Sequence, residues 1–317
     1  MQPAGPETKT QIQEFELSPD TLLDKITIIY GPSGKEKSDI VNNALGVLSD
    51  CIERTDAVSQ PGHTYARCGQ VFNHFRTGSL YGDTEGETPQ KAAHRFLESI
   101  GRRQEMATAI YARANRPEVL SKLYNHLTTL ERKCADASIR MIRRKGVEDN
   151  TPAGEVRELL GQVRKECLSR HSADLWERRL TEEERHALHH INYNPRSLVV
   201  IDSPDLPRTF YDDEYSRKLF YRNRWLRTTV IICSLDDKDL PAALRKNATN
   251  AIFTSSEHAR AYFDRCSNGH PKTERKYVAD NVHKFFGGGR NLVHIRGRRE
   301  RIFRRLTLPH PKGRQPV

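Results

Sequence analysis

The chain has 317 residues, enough for one large α/β domain or a core domain carrying an insertion, and its formal charge is +11. Residues 286–317 hold nine Lys and Arg against one acid, which leaves about +3 for everything before them and concentrates any attraction for polyanions at one end. No stretch approaches the roughly 20 apolar residues of a membrane span, no apolar signal region opens the chain, and six cysteines stand without a C-x-x-C pair, which argues against membrane-embedded, secreted and disulfide-stapled classes.

Residues 1–20 are polar and contain Pro3, Pro6 and Pro19, the composition of a flexible leader. Ile26-Thr27-Ile28-Ile29-Tyr30 is a β-branched run that ends at Gly31-Pro32, and Ile40, Ala44 and Val47 then recur at helical spacing, so strand, loop and helix follow one another. The loop between them is Gly31-Pro32-Ser33-Gly34-Lys35-Glu36-Lys37-Ser38. A phosphate loop reads G-x-x-x-x-G-K-[ST] in this setting, because backbone N–H groups and the helix N-terminus cradle phosphate oxygens, Lys neutralises their charge, and the hydroxyl holds Mg²⁺. Every position fits except Glu36, which stands where the second glycine belongs and either crowds the phosphates with a like charge or turns outward toward Lys35.

From about Pro89 to His190 the pattern is helical and highly charged, with Thr181-Glu182-Glu183-Glu184 spaced as a capping box before a short helix that Asn194-Pro195 ends. Ser197-Leu198-Val199-Val200-Ile201-Asp202 is a buried strand ending in a carboxylate, the form in which an Asp reaches Mg²⁺ beside a phosphate loop. Thr228–Cys233 and Ala251–Thr254 are further strands, and their unalternated apolar runs indicate a mainly parallel sheet covered on both faces. Tyr211, Tyr215, Phe220, Tyr221 and Trp225 interleave with Arg217, Arg222, Arg224 and Arg227, as a nucleic-acid surface or as core aromatics with solvated arginines. His186, His189 and His190 lack a fourth partner at zinc spacing, as do Cys51, His63 and Cys68.

Several blocks in order resemble the genome-packaging ATPases of large DNA viruses, the poxvirus-type branch of the FtsK–HerA superfamily of P-loop NTPases. They are Phe96-Leu97, Arg103-Gln104-Glu105, Ala109-Ile110-Tyr111, Asn194-Pro195-Arg196, Leu219-Phe220-Tyr221 with Arg224, and Thr228–Ile232. Leu244-Arg245-Lys246-Asn247-Ala248, Ile252-Phe253-Thr254, Ala261-Tyr262-Phe263-Asp264-Arg265 and Ser267-Asn268 continue the series, so the likeness covers about residues 22–286. It implies an α/β, RecA-like P-loop core over residues 21–286 with a helical insertion at about 89–190, followed by a basic tail over 287–317. The implied activity is ATP hydrolysis that drives double-stranded DNA into a capsid, with ATP and Mg²⁺ as cofactors. The implied partners are DNA, copies of the chain in a hexameric or pentameric ring, and capsid or inner-membrane virion proteins. The implied location is the host cell, in a cytoplasmic viral factory or the nucleus, and the virion.

Carried onto this chain, Lys37 contacts the β/γ-phosphates, Ser38 and Asp202 hold Mg²⁺, Arg224 or Arg245 is the arginine donated between subunits, and Ser234, with Cys233 as second choice, senses the γ-phosphate. The resemblance also calls for a second acid after the metal Asp, where this chain has Ser203; Asp205 is the nearest substitute. Glu36 and Ser203 therefore both point to attenuated hydrolysis, and a catalytically degenerate binding protein and a helicase or recombination ATPase are the rival readings. Arg296, Arg298, Arg299, Arg301, Arg304 and Arg305 are the candidate DNA contacts.

Overall fold

The computed structural model describes residues 12–60, 63–76, 89–134, 180–202, 206–287, 291–297 and 301–308. The chain divides into two compact units, residues 1–102 with 196–317, and residues 103–195.

The first unit is built on a nine-stranded sheet. Its strands are β1 (Glu14–Phe15), β2 (Ile26–Tyr30), β3 (Arg54–Ser59), β4 (Val71–Arg76), β5 (Ser197–Asp202), β6 (Thr228–Ser234), β7 (Asn250–Phe253), β8 (Asn291–Arg296) and β9 (Arg301–Leu306), in the order β1-β9-β8-β7-β2-β6-β5-β3-β4. From β7 through β4 every pairing is parallel. Strand β6 therefore lies between β2, which leads into the phosphate loop, and β5, which ends in Asp202. This is the additional-strand arrangement of a RecA-like P-loop core.

Strands β2, β5, β6 and β7 are buried at every residue because helices cover both faces. Alternate side chains serve the two faces. Ile26, Ile28, Val199, Ile201, Val230 and Ile232 pack with Leu219, Phe220, Phe263 and Phe285 from helices α7 (Glu214–Tyr221), α9 (Ser256–Asp264) and α10 (Lys272–Phe286). On the other face Ile29, Val200 and Ile231 pack with Ile40, Val41, Ala44, Leu45 and Leu48 of α2 (Lys35–Leu48). Short helices α1 (Pro19–Leu22), α6 (Arg208–Asp212) and α8 (Ala242–Asn247) complete this unit.

The second unit is helical: α3 (Pro89–Ala114) enters it, and α4 (Pro117–Cys134) and α5 (Glu182–His190) follow. Thr181 and Glu184 cap α5 reciprocally, as their spacing predicts. Among the described residues no helix is long and apolar enough to cross a membrane.

Two expectations about the ends of the chain are corrected. Residues 14–15 pair with β9 and Ser18 caps α1, so this part of the expected leader belongs to the fold. Asn291–Arg296 and Arg301–Leu306, expected in the basic tail, are strands of the sheet, since β8 adds antiparallel to β7 and β9 to β8. Arginine is tolerated there because each strand has a neutralising or accepting neighbour. Arg301 makes a forked ion pair with Glu274 at 2.8 and 2.9 Å, Arg305 Nε lies 3.0 Å from Glu14 Oε1, and Arg296 donates to the Lys246 carbonyl.

Candidate nucleotide and metal site

The parallel strands carry their loops to one end of the sheet. Strand β2 ends at Tyr30, and Gly31 turns the chain with its N–H donating to the Ser234 carbonyl, 3.2 Å away. A Cβ at residue 31 would lie 1.8 Å from Thr254 Oγ1 and 3.1 Å from Thr254 Cβ, so any other residue would force the Thr254 side chain to move. Pro32, Ser33 and Gly34 are exposed, and Gly34 precedes the first turn of α2 without a side-chain cap. The orphan N–H groups of that turn are left for an anion.

Lys37 folds back over the loop. It is 6 % exposed, and its Nζ donates to the carbonyls of Gly31 at 3.0 Å and Pro32 at 2.5 Å. Burial pushes its pKa down, against the opposing pull of the Asp202 and Glu36 charges. Ser38, one residue on, places Oγ 3.4 Å from Asp202 Oδ2 across 164 residues of sequence. Lys37, Ser38, Asp202, Cys233 and Ser234 line one cavity together with Ser33, Gly34, Gln60, His63 and Leu235. The Ser234 hydroxyl donates to the Asp236 carbonyl at 2.7 Å, and burial followed by the nearby Asp202 raises the Cys233 thiol pKa.

Glu36 does not line that cavity. It is exposed in the first turn of α2, where a carboxylate complements the helix dipole, and it borders a separate cavity with Pro32, Asp39, Thr254, Glu257 and His258. Its carboxylate is therefore not among the groups that line the Lys37 cavity, and the expected pairing with Lys35 falls outside the described residues. The Lys35 side chain, Ser203, Asp205, Arg298 and Arg299 lie outside the described residues.

Residues that sequence reasoning did not select complete the site. His63 Nδ1 lies 3.1 Å from Asp202 Oδ2, and the Tyr65 hydroxyl donates to the same oxygen at 2.5 Å. Burial first, and then the Asp202 charge and hydrogen bond, raise the Tyr65 pKa far above the usual phenol range, so the hydroxyl stays a donor. The signal for both lies in the register, because Ser59 at the end of β3 is opposite Asp202. His63 and Tyr65, which follow β3, then reach the end of β5.

The two arginine candidates separate. Arg245 is 5 % exposed, and its guanidinium donates to Asn268 Oδ1 at 2.7 Å, the Leu240 carbonyl at 2.7 Å, Ser267 Oγ at 2.9 Å and the Asp237 carbonyl. Four of its five N–H groups are held inside the subunit, which gives Arg245 a structural place, and the role between subunits is not proposed for it. Asp237 keeps Arg265 at 2.8 Å, so Arg245→Met is expected to destabilise the fold through the buried acceptors it leaves unpaired, about 1 to 3 kcal/mol for each, as read by urea unfolding.

Arg224 is exposed on the turn between α7 and β6, and its charge helps depress the pKa of Lys25, after burial. Lys25 precedes β2, so Arg224 sits at the end of that strand away from Gly31 and does not serve its own phosphate loop. Beside it Trp225 is 85 % and Tyr221 46 % exposed, whereas Tyr211 and Phe220 are core residues. The aromatic–arginine run is thus half core and half surface.

No family model matches the chain. It is 32 % identical over 308 residues to uncharacterized protein B354L of African swine fever virus, covering 95 % of this chain and 86 % of the relative, and the same figures hold for the protein of several isolates. Among solved structures, the genome packaging NTPase B204 of Sulfolobus turreted icosahedral virus 2 in complex with ATP-gammaS is 10 % identical, with coverage of 90 % of this chain and 98 % of that one and a TM-score of 0.41. EssC (ATPases 2 and 3) from Geobacillus thermodenitrificans is 12 % identical, covering 89 % of this chain and 39 % of that one, with a TM-score of 0.38. Likenesses at those scores carry no functional argument.

Proposed function

The chain belongs to the family of the B354L proteins of African swine fever virus, and on that footing, with the residues that resemble viral packaging ATPases, we propose that it is an ATP-driven double-stranded DNA translocase that packages a viral genome. It works as a ring of identical subunits with Mg²⁺-ATP bound between neighbours. The observation that carries this reading is the meeting of Ser38 and Asp202, 3.4 Å apart, beside the loop that Lys37 closes.

A hydroxyl and a carboxylate are the hard oxygen ligands Mg²⁺ takes, so Ser38 and Asp202 fit the ion. Bound there, Mg²⁺ would neutralise charge on the β- and γ-phosphates. Lys37 exchanges its loop carbonyls for phosphate oxygens as nucleotide enters. Ser234, at the end of the strand between β2 and β5, contacts the γ-phosphate. Asp205 takes the water-orienting role that Ser203 cannot perform. Arg224 reaches the nucleotide of the adjacent subunit, and the exposed Trp225 beside it supplies the apolar contact such an interface needs.

The degenerate-protein reading rests on Glu36 and Ser203. The exposed Glu36 favours the active one, since the cavity at Lys37 contains no competing carboxylate from that residue. The test is binding and turnover in the full chain. A 100-fold excess of Mg²⁺-ATP over its Kd is expected to stabilise the protein by about 2.7 kcal/mol, and double-stranded DNA to stimulate hydrolysis. Absence of nucleotide binding at millimolar ATP with DNA present overturns the motor. Binding without hydrolysis that the double change Glu36→Gly with Ser203→Asp does not restore selects the degenerate protein.

A further inference from the structure

The Asp202 carboxylate is held from outside the phosphate loop as well as from within it. Three donors converge on Oδ2: Ser38 Oγ at 3.4 Å, His63 Nδ1 at 3.1 Å and Tyr65 Oη at 2.5 Å. Tyr65 is itself fixed on three sides. The Ala66 N–H donates to Asn42 Oδ1 at 2.9 Å, and Asn42 Nδ2 donates to the Thr64 carbonyl at 3.5 Å, so the backbone on both sides of Tyr65 is tied to α2. Asn42 stands one helical turn beyond Ser38, on the same face of the phosphate-loop helix. The Tyr65 ring also lies edge-on to His74 of β4, with centroids 5.4 Å apart, and His74 Nε2 is 2.7 Å from Ser59 Oγ at the end of β3. The hydroxyl is therefore preset by the helix that carries Ser38 and by β3 and β4, the two strands beyond β5 at that edge of the sheet.

We propose that Tyr65 is a positioning residue for the metal ligand, its hydroxyl setting the rotamer in which the Asp202 carboxylate and Ser38 receive Mg²⁺. This rests on the nucleotide reading above. Outer partners of this kind fix ligand orientation, and their loss typically weakens metal affinity 10- to 100-fold. Because His63 touches the same oxygen, the lower end of that range applies. An aliphatic or phenyl side chain at residue 65 would leave the carboxylate free to swing, whereas nucleotide contacts made by Lys37 and the loop N–H groups are untouched.

The experiment titrates Mg²⁺ into the full chain holding a fluorescent non-hydrolysable ATP analogue and compares Tyr65→Phe with the unaltered protein and with Met106→Leu, an exposed control. The expected result is unchanged analogue affinity in EDTA and a Mg²⁺ midpoint raised about 10-fold in Tyr65→Phe only. A midpoint left in place overturns the proposal. A lowered midpoint does so too, and makes Tyr65 a clasp that competes with the ion. Loss of affinity in EDTA assigns Tyr65 to the fold instead and also overturns it. If the unaltered protein bound the analogue without any dependence on Mg²⁺, the failure would belong to the underlying metal reading.

Discussion

Lys37→Ala is expected to lower ATP hydrolysis by roughly 10²- to 10³-fold, the range for losing one preorganised charge from a phosphoryl-transfer site. It should also abolish the stabilisation that Mg²⁺-ATP confers. The same substitution is expected to leave the empty protein at least as stable as before. In the empty fold the Lys37 ammonium is buried against loop carbonyls, and burial lowers its pKa. A lysine whose folded pKa lies below its unfolded value binds its proton less well in the native state, so the charged form opposes folding at neutral pH. That opposition fades as pH rises through the folded pKa. Differential scanning calorimetry with and without nucleotide reads both halves. A variant that lost binding and melted several degrees lower would make Lys37 a loop strut, whereas lost binding with retained stability marks a residue kept for its ligand.

How much of this site was legible in the sequence depended on whether each residue lay next to its motif. Gly31, Lys37, Ser38, Asp202 and Ser234 are found together because each sits at the end of an uninterrupted apolar strand or at the start of the helix that follows it. Strands β3 and β4 gave no such signal. Arg54-Thr55-Asp56 opens β3 with polar residues that are legible only in place, where Asp56 is buried against Arg54 at 3.3 Å and Asn73 at 2.9 Å. Missing β3 meant missing His63 and Tyr65, which reach Asp202 through register and not through spacing. The C-terminal strands were hidden for a related reason. Their arginines suggest a solvated arm until Glu274 and Glu14, distant in sequence, appear beside Arg301 and Arg305. Arg245 illustrates the converse. A residue selected by resemblance for its charge proves to be the centre of a buried hydrogen-bond network.

Arg224→Ala is expected to reduce hydrolysis about 10³- to 10⁵-fold, the contribution of an arginine supplied to a developing phosphoryl charge, while leaving nucleotide affinity and stability near their original values. The stability half follows from exposure, since Arg224 is solvent-facing. That separates it from Arg245→Met, in which activity falls only as the folded fraction falls. The decisive form of the experiment mixes two inactive proteins. Arg224→Ala keeps an intact phosphate loop and lacks the arginine; Lys37→Ala lacks the loop lysine and keeps the arginine. If Arg224 acts across an interface, a mixed ring contains sites where the intact loop of one subunit meets the intact arginine of the next, and hydrolysis returns. The position of Arg224 at the far end of β2 from Gly31, about 17 Å at the usual strand rise, requires this outcome for any direct role at the phosphates. No recovery in mixtures that co-assemble would remove Arg224 from the chemistry and leave it, with Trp225 and Tyr221, as part of an assembly surface alone.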